Sequence, residues 1–425
     1  MTGRPESAFS YVDGALHCEG ARLDAIAERW GTPCYVYSRQ AILAAYRRYT
    51  DALAGRSALV CYAMKANSNL GVLGLLAGAG SGFDIVSGGE LARALAAGAT
   101  PARIVFSGVG KTPAEIAAAL DAGIGCFNVE SAGELETIDQ IARARGKRAP
   151  VSLRINPDVD PGTHPYISTG LKSNKFGIAA PAAEALYRRA ATLAGIEIVG
   201  VDCHIGSQIT TIEPYIEAAE RIFDLVDRLE AGGIVLRQVD FGGGLGIAYD
   251  DEPVPAVDTF LGALLACVDR RGHGDKTLIV EPGRSIVGNA GVLLTRVQVI
   301  KEGAVKKFAV VDAGMNDLLR PALYEAWMDV APVVPRAEAG TRIDIVGPVC
   351  ESADWLARDR VLAVRTGDLL AIRSAGAYAM SMASNYNSRG RPAEIIVDGA
   401  CCHLVRRRES HADLYAAESM LPPAD

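Results

Sequence analysis

The chain has 425 residues, of which 49% are hydrophobic and 22% charged, and its formal net charge is −7. This is the composition of an ordinary folded protein with room for two or three domains, and the negative charge argues against a general nucleic-acid-binding protein. The nine cysteines show no CxxC pair and no zinc-like spacing, so we expect reduced thiols and no metal site. No run of about 18 apolar residues occurs, and the amino terminus lacks the apolar stretch of a secretion signal. We therefore expect a cytoplasmic protein whose partner is a small molecule, without nucleic-acid or membrane binding.

The first two-thirds of the chain alternates strand-like and helix-like segments. Eight short segments are rich in apolar or β-branched residues, and the stretches between them, such as 88–97, 132–145 and 212–230, carry apolar residues at three- and four-residue intervals. Repeated strand-helix units form parallel sheets, and eight of them predict a closed (β/α)8 TIM-type barrel, which we assign to residues 38–285. The strand-like segments are 58–64, 82–86, 103–107, 126–129, 151–155, 196–204, 238–241 and 277–280.

Residues 286–425 contain short strand-like segments separated by turn residues, with few long helical patterns. This pattern is typical of an antiparallel β domain, and the strand-like segment 33–37 is expected to join it. We therefore predict an antiparallel β-sandwich or β-barrel-like domain formed by residues 1–37 and 286–425. Its strand-like segments are 292–299, 308–311, 343–346, 361–364, 369–372 and 395–397.

Polar residues follow the predicted barrel strands, on the face where barrel enzymes build their active sites. Lys65 directly follows the apolar segment 58–64, and a strand-end lysine in an apolar pocket loses hydration, which favours its neutral, nucleophilic amine. Such an amine can form a Schiff base with an aldehyde, although a solvated lysine just beyond a strand is the simpler interpretation of this residue alone. The other polar residues at these strand ends are Asp84, Asn128, Arg154, His204 and Glu281, with a glycine run after Phe241.

Six short motifs occur in the same order as in a known enzyme family. YAMKAN (62–67), HIGSQ (204–208), GGGLG (242–246), EPGR (281–284), CES (350–352) and GAY (376–378) resemble the motif set of the pyridoxal-phosphate-dependent decarboxylases with an alanine-racemase-like barrel. The resemblance extends from about Pro33 to Val405. Within that family, segments 164–170, 174–177 and 315–324 are similar to the branch that converts meso-2,6-diaminopimelate to L-lysine and CO2, the last step of bacterial lysine biosynthesis.

The resemblance implies pyridoxal 5′-phosphate as the cofactor and Lys65 as the residue that carries it. Glu281 would pair with the pyridine nitrogen and keep it protonated, and the glycines after Phe241 would let backbone N–H groups approach the phosphate. His204 would stack on the ring. The cofactor residues implied in this way are Lys65, Asp84, Arg154, His204, Ser207, Gly243, Gly244, Glu281, Gly283, Arg284 and Tyr378.

The β domain is expected to supply the substrate end and the proton donor. Decarboxylation leaves a carbanion at the α-carbon, which the thiol of Cys350 can quench by donating a proton. A diamino diacid carries a second carboxylate and a second ammonium, so an arginine-rich pocket with one anion suits it better than it suits ornithine. The resemblance implies Lys65, His204 and Cys350 as catalytic residues, and a homodimer whose active sites lie at the interface. The implied substrate-binding residues are Arg284, Arg320, Tyr324, Glu351 and Tyr378.

Three alternatives stay open on the sequence. A decarboxylase of another acidic or diamino acid would use the same cofactor residues. An amino-acid racemase would share the barrel and the lysine, but it would need a tyrosine base where this chain has Cys350 and Glu351. A binding protein without activity would have no use for Lys65, Glu281 and Cys350 together.

Overall fold

The computed structural model describes residues 8–160, 162 and 174–422. The motif predicted at 164–170 therefore lies outside the described residues. The chain divides into two compact units, one formed by Leu43–Ile286 and the other by Met1–Ile42 together with Val287–Asp425. None of the described helices combines the length and the apolarity that crossing a bilayer requires.

Eight parallel strands close into a barrel in the unit Leu43–Ile286. Each strand pairs with its successor in the chain, and the eighth pairs with the first, so that Val280 lies opposite Val60. The predicted eight-stranded barrel is thus confirmed, with strand ends shifted by a residue or two. The strands are Ala58–Ala63, Gly82–Ile85, Ile104–Phe106, Cys126–Val129, Ala149–Asn156, Ile196–Asp202, Gln238–Asp240 and Thr277–Val280, and the short strand Ile178–Ala179 pairs beside the fifth.

Helices follow most barrel strands, and those that begin at Leu70, Gly88, Pro113 and Ala132 each have a capping side chain at their amino terminus. Ser87 accepts a hydrogen bond from Glu90 N–H, and Thr112 and Glu115 form a reciprocal capping box. Each cap satisfies backbone donors that the first helical turn leaves free. The helices are Arg39–Ala52, which begins in the other unit, Leu70–Gly78, Gly88–Ala96, Pro113–Ala122, Ala132–Ala144, Ala180–Ala191, Glu213–Ala231, Val257–Arg271 and Arg284–Val287, with 3₁₀ turns at Met64–Ala66 and Pro101–Arg103.

The barrel strands are held by a close-packed apolar core. Phe106 and Phe127 are fully buried and stack with their ring centroids 6.1 Å apart, and burial of a side chain of this size contributes roughly 1.5–3 kcal/mol. Because this core fixes the strands, it also fixes the polar side chains at their carboxyl ends. Another buried cluster draws one residue from each of five strands: Cys61, Val105, Cys126, Val199 and Ile279.

The other unit is built around a long central strand, Gly291–Glu302, which pairs antiparallel with three others, Cys34–Ser38, Lys307–Val311 and Leu369–Ile372. Cys34–Ser38 also pairs in parallel with Ala393–Asp398, and Lys307–Val311 with Thr341–Val346. The predicted antiparallel β domain is therefore confirmed as a mostly antiparallel sheet. The remaining elements are the strands Val330–Pro332, Trp355–Leu362 and Cys401–Arg406, the meander Phe9–Val12, Ala15–Cys18 and Ala21–Arg22, the helices Leu23–Trp30, Arg320–Tyr324 and His411–Leu414, and 3₁₀ turns at Gly288–Ala290, Met380–Met382 and Tyr386–Ser388.

The strand predicted at 361–364 is wrong, because the structure has a strand at Trp355–Leu362 instead. Its middle is the charged sequence 358–360, where Asp359 has a left-handed φ of 56°, and such an irregular strand lacks apolar alternation. Two further strands of this sheet, Val330–Pro332 and Cys401–Arg406, also escape prediction, as do the three strands of the meander and the short strand Ile178–Ala179. The first has only three residues, and the second is largely exposed.

Candidate active site

Lys65 lies just beyond the first barrel strand, within the 3₁₀ turn Met64–Ala66. Its Nζ forms an ion pair with Oδ2 of Asp84, which lies on the neighbouring strand. The carboxylate is fully buried, whereas 35% of the lysine side chain is exposed. A buried carboxylate therefore holds an accessible amine at the carboxyl end of the barrel.

A bare glycine turn follows the seventh barrel strand. Gly242 and Gly244 have φ values of 63° and 111°, which L side chains rarely adopt. A Cβ on Gly243 would lie 2.0 Å from the carbonyl oxygen of Glu281. Only glycine fits at these positions, so the turn presents backbone rather than side chains.

His204 lies beside this turn as a neutral imidazole. Its Nδ1 accepts a hydrogen bond of 3.2 Å from Gly243 N–H, which places the ring proton on Nε2. Burial and the nearby charges of Arg154 and Lys65 lower the pKa of His204. A flat, uncharged ring is thus fixed at the carboxyl end of the barrel, where another planar group can stack on it.

Three buried carboxyl groups end the sixth, seventh and eighth strands, and their oxygens lie within 4.8 Å of one another. They belong to Asp202, Asp240 and Glu281. Burial is the largest cause that raises the pKa of each, to about 6 for Asp240, and the charge of Asp240 raises the pKa of the other two further. Asp202 Oδ1 and Asp240 Oδ2 have no hydrogen-bond partner among the described residues. The group can therefore accept a cation, either a protonated nitrogen or, by its spacing alone, a metal ion.

Arg154 is a buried cation at the end of the fifth strand. Its Nη1 lies 2.8 Å from Glu130 Oε1, and its Nε lies 3.9 Å from Asp202 Oδ2. Glu130 also accepts hydrogen bonds from Gly108 N–H and Gly177 N–H. Because both members of the pair are 6% exposed, each charge depends on the other for compensation.

Arg284 connects two segments at the same end of the barrel. Its Nη2 donates to Ser207 Oγ over 3.0 Å, and its Nη1 donates to Tyr249 OH over 2.5 Å. A Cβ on the preceding Gly283 would lie 3.1 Å from the Cβ of Ala66. The backbone of this segment therefore passes close to the turn that carries the lysine.

The β unit holds the predicted proton donor in an exposed loop. Cys350 and Glu351 are both exposed. Cys350 N–H donates to Asn387 Oδ1 over 2.8 Å, and Tyr386 OH donates to Glu351 Oε2 over 3.0 Å. The thiol and the carboxylate thus occupy adjacent positions fixed from one neighbouring turn.

The remaining predicted substrate residues of the β unit include one buried arginine. Arg320 begins the short helix Arg320–Tyr324, is 6% exposed, and has its guanidinium 5.7 Å from the ring centroid of Tyr324. Tyr378 is half-buried and has a φ of 52°. A planar cation next to a tyrosine is suited to binding a carboxylate by paired hydrogen bonds.

The structure groups all the predicted cofactor residues of the barrel unit at the carboxyl ends of its strands, and Tyr378 belongs to the β unit. Four polar residues of the barrel site escape prediction: Glu130, Asp202, Asp240 and Tyr249. The first three also lie at the ends of predicted strands, so the rule that identifies Lys65 and Glu281 could have found them. Tyr249 lies in a loop and carries no such signal.

Comparison with known proteins defines the class. The family model described as "Pyridoxal-dependent decarboxylase, pyridoxal binding domain" matches residues 39–288, which is more than half of the chain. Fold and site together are therefore those of a pyridoxal-dependent decarboxylase. Over 415 residues, 97% of this chain and 99% of the relative, the sequence is 61% identical to the diaminopimelate decarboxylase of Pseudomonas aeruginosa. The chain belongs to the diaminopimelate decarboxylase family.

Solved structures of the family agree over nearly the whole chain. The diaminopimelate decarboxylase of Helicobacter pylori complexed with L-lysine has a TM-score of 0.90 at 45% identity and covers 93% of this chain and 99% of its own. The enzyme from M. jannaschii in co-complex with L-lysine has a TM-score of 0.93 at 42% identity, with 98% of both chains covered. The two-unit architecture is therefore that of the family.

Pyridoxal 5′-phosphate is the cofactor, and the residues at the barrel mouth fit it. A Cβ on Gly243 or Gly244 would collide with the carbonyl oxygen of Glu281 or of Gly206, so the turn presents bare backbone. No described residue accepts a hydrogen bond from Gly244 N–H, so this donor is available to a phosphate. The buried carboxyl group of Glu281, within the cluster that it forms with Asp202 and Asp240, suits a protonated ring nitrogen. The accessible amine of Lys65 suits the aldehyde.

Proposed function

We propose that this chain decarboxylates meso-2,6-diaminopimelate to L-lysine and CO2, the last step of bacterial lysine biosynthesis. The 61% identity to the P. aeruginosa enzyme over nearly the full length of both chains carries this proposal. The relatives described as complexed with L-lysine support it, because L-lysine is the expected product. The α-carbon loses a carboxylate as CO2 and gains one proton, and both amino groups stay on the product.

The barrel residues hold the cofactor and the reacting end of the substrate. Pyridoxal 5′-phosphate, when bound, supplies an electron sink for the pair left on the α-carbon as CO2 departs. Lys65 is its covalent anchor, and Asp84 keeps the amine in place for exchange with the substrate amine.

Glu281 pairs with the ring nitrogen. Burial and the neighbouring carboxylates raise its pKa, and a protonated nitrogen supplies the cation that lets it ionise. Neutral His204 would stack on the ring without adding a competing charge, and Arg154 would bind the phenolic oxygen. The phosphate would be held by Ser207, Gly243, Gly244, Gly283, Arg284 and Tyr378.

The distal end of the substrate determines specificity. Its carboxylate is bound by Arg284 and Arg320, with Tyr324 and Tyr378 alongside, since guanidinium groups bind carboxylates in pairs of parallel hydrogen bonds. Its ammonium is bound by Glu351. Ornithine has no distal carboxylate, so an arginine pocket would leave a charge unpaired with it.

Cys350 donates the proton that completes the reaction. In a single chain its loop is exposed, whereas a proton donor acts best in a site from which bulk water is excluded. We propose a homodimer in which Cys350 and Glu351 reach the partner's active site. The enzyme acts in the cytoplasm, where its thiols stay reduced.

The direct test supplies the purified chain with pyridoxal 5′-phosphate and one amino acid at a time: meso-diaminopimelate, L-lysine, L-ornithine or glutamate. We expect equal amounts of CO2 and L-lysine from meso-diaminopimelate and no CO2 from the other three amino acids. A Lys65→Ala variant should release no CO2 from any of them. Exchange of the α-hydrogen with solvent without gas release would instead identify a racemase. Faster CO2 release from another acid would assign the chain to a different decarboxylase.

A further inference from the structure

Three consecutive residues of the loop that carries the proton donor are each fixed by a side chain. Val349 N–H donates to Asp354 Oδ2 over 2.6 Å. Cys350 N–H donates to Asn387 Oδ1 over 2.8 Å, and Glu351 Oε2 accepts from Tyr386 OH over 3.0 Å. Surface loops are generally more mobile than the elements that they connect, whereas each of these three positions is held by a side chain.

Asp354 links this loop to the segment that leads to Arg320. Its Oδ1 accepts a hydrogen bond of 2.6 Å from Met315 N–H, while its Oδ2 accepts from Val349 N–H. Only 5% of Asp354 is exposed. One buried carboxylate thus fixes the start of both segments that carry the proposed substrate-end residues.

The turn Tyr386–Ser388, which contacts this loop, has an unfavourable backbone conformation. Asn387 and Ser388 have φ values of 54° and 53°, a region that non-glycine residues avoid and that asparagine tolerates better than most. The turn is anchored behind by Asn385, whose Nδ2 donates to Arg389 O and to Glu409 Oε2. Strain of this kind persists where surrounding contacts enforce it, and it concentrates at functional sites.

We propose that Asn387 and Tyr386 are positioning residues of the decarboxylation: Asn387 fixes the Cys350 thiol through its backbone, and Tyr386 orients the Glu351 carboxylate toward the distal ammonium of the substrate. This inference rests on the proposed function. It assigns separate effects to the two residues, because the thiol acts in proton transfer and the carboxylate acts in binding.

Stability alone does not account for the Tyr386 contact. In a single chain Tyr386 is 44% exposed, and water competes with an exposed hydroxyl–carboxylate hydrogen bond, so the net contribution of this bond to folding of the chain is small. The hydrogen bond has a larger effect on geometry, because it occupies Oε2 of Glu351 and thereby fixes the position of Oε1 of the same carboxylate. An ammonium group that approaches Oε1 then meets a carboxylate that needs no reorganisation.

The first test separates the acceptor of Asn387 from its backbone conformation. Asn387→Asp keeps an acceptor oxygen at a residue that tolerates the left-handed region, whereas Asn387→Gly accepts the conformation and loses the oxygen. Asn387→Gly should lower kcat about tenfold with KM unchanged, and Asn387→Asp should keep kcat within about twofold. Wild-type kcat in Asn387→Gly, or an equal loss in both variants, would overturn the role of Asn387.

The second test uses a substrate analogue. Tyr386→Phe should raise KM for meso-diaminopimelate about fivefold to tenfold at nearly constant kcat. The KM, or the Ki, of 2-aminopimelate should not change, because this compound lacks the distal amine. Tyr415→Phe, another exposed tyrosine, is the matched control. An equal effect on both compounds, or none on either, would contradict the role of Tyr386.

These outcomes are distinguishable from failure of the proposed function. If the wild-type chain releases no CO2 from meso-diaminopimelate, the proposed function fails before any variant is compared. If it does, cofactor absorption and thermal unfolding of the variants should match wild type. A fall in both would mean that the two residues serve only the fold.

Discussion

Gly243 N–H donates a hydrogen bond to Nδ1 of His204 over 3.2 Å. The glycine turn is therefore joined directly to His204, the residue proposed to stack on the cofactor ring. The bond requires an unprotonated Nδ1, in agreement with the lowered pKa of His204. A protonated ring would break it and place a charge against a bound pyridinium.

The folded protein should resist protonation of His204. Because its pKa is lowered, the unfolded chain takes up a proton below about pH 6.5 that the folded chain does not. Stability is therefore lost as pH falls. Between pH 7.5 and 5.5, the unfolding free energy of wild type should fall by roughly 1 kcal/mol more than that of His204→Gln. Urea unfolding at both pH values measures this, with His403→Gln as an exposed control, and parallel pH dependences would contradict it.

Asp240 should give the opposite pH dependence. Burial raises its pKa to about 6, so the folded state keeps a proton that the unfolded chain loses near pH 4, and stability falls as pH rises through this window. In cofactor-free protein, the unfolding free energy of wild type should fall between pH 4 and pH 7 by roughly 2–3 kcal/mol more than that of Asp240→Asn. Asparagine can still accept the hydrogen bond from Gly242 N–H. A pH-independent difference would show that Asp240 is not protonated in the folded state.

Lys65→Arg should keep the charge beside Asp84 but lose the nucleophilic amine. We expect kcat to fall roughly 1,000-fold or more. The visible absorption of the cofactor should be lost from this variant on dialysis. Borohydride treatment followed by peptide mass analysis should find the cofactor on residue 65 of wild type only. Lys301→Arg, on an exposed strand end, is the control. Turnover within tenfold of wild type would exclude Lys65 as anchor.

Cys350→Ala should retain cofactor absorption and lose turnover. A removed general acid typically costs about 100-fold or more, and the binding groups are untouched, so KM should change little. Cys401→Ala removes another exposed cysteine and should have no effect. If both variants keep wild-type kcat, the proton comes from another group.

Glu130→Gln should destabilise the barrel because it leaves the Arg154 charge largely uncompensated. Breaking a buried pair by removing one partner costs about 3–5 kcal/mol. The exposed pair Glu136–Arg189 is the matched control, since Glu136→Gln should cost no more than about 1 kcal/mol. Urea unfolding measures the loss of unfolding free energy in both variants. Equal losses would mean that burial does not strengthen the Glu130–Arg154 pair.

The sequence predicts which polar side chains gather at one end of the barrel, because parallel strands end on one face. Lys65 and Glu281 are more than 200 residues apart, yet each follows a recognisable apolar strand, so topology alone brings them to the same end of the barrel. The contacts of Arg154 with Glu130 and Asp202 are not predictable in this way. They depend on which side chains of neighbouring strands meet, and no local pattern records that.

The surroundings of Cys350 are less predictable still. Its hydrogen bond to Asn387 depends on a turn with a left-handed asparagine, and the sequence between 376 and 393 has no periodicity that predicts it. The strands of the β unit are short or irregular, so tertiary packing rather than local preference determines where they begin and end.

Closure of the barrel has a consequence for synthesis of the chain. The strand Ala58–Ala63, which precedes Lys65, pairs with Thr277–Val280, so a ribosome must translate about 220 further residues before the first strand gains this neighbour. During that time an apolar strand edge is open to wrong partners, and contacts of such long range form slowly. Chaperone demand should therefore be high until residue 280 emerges. Glu281 directly follows this last strand, so the complete cofactor site also becomes available only when the barrel can close.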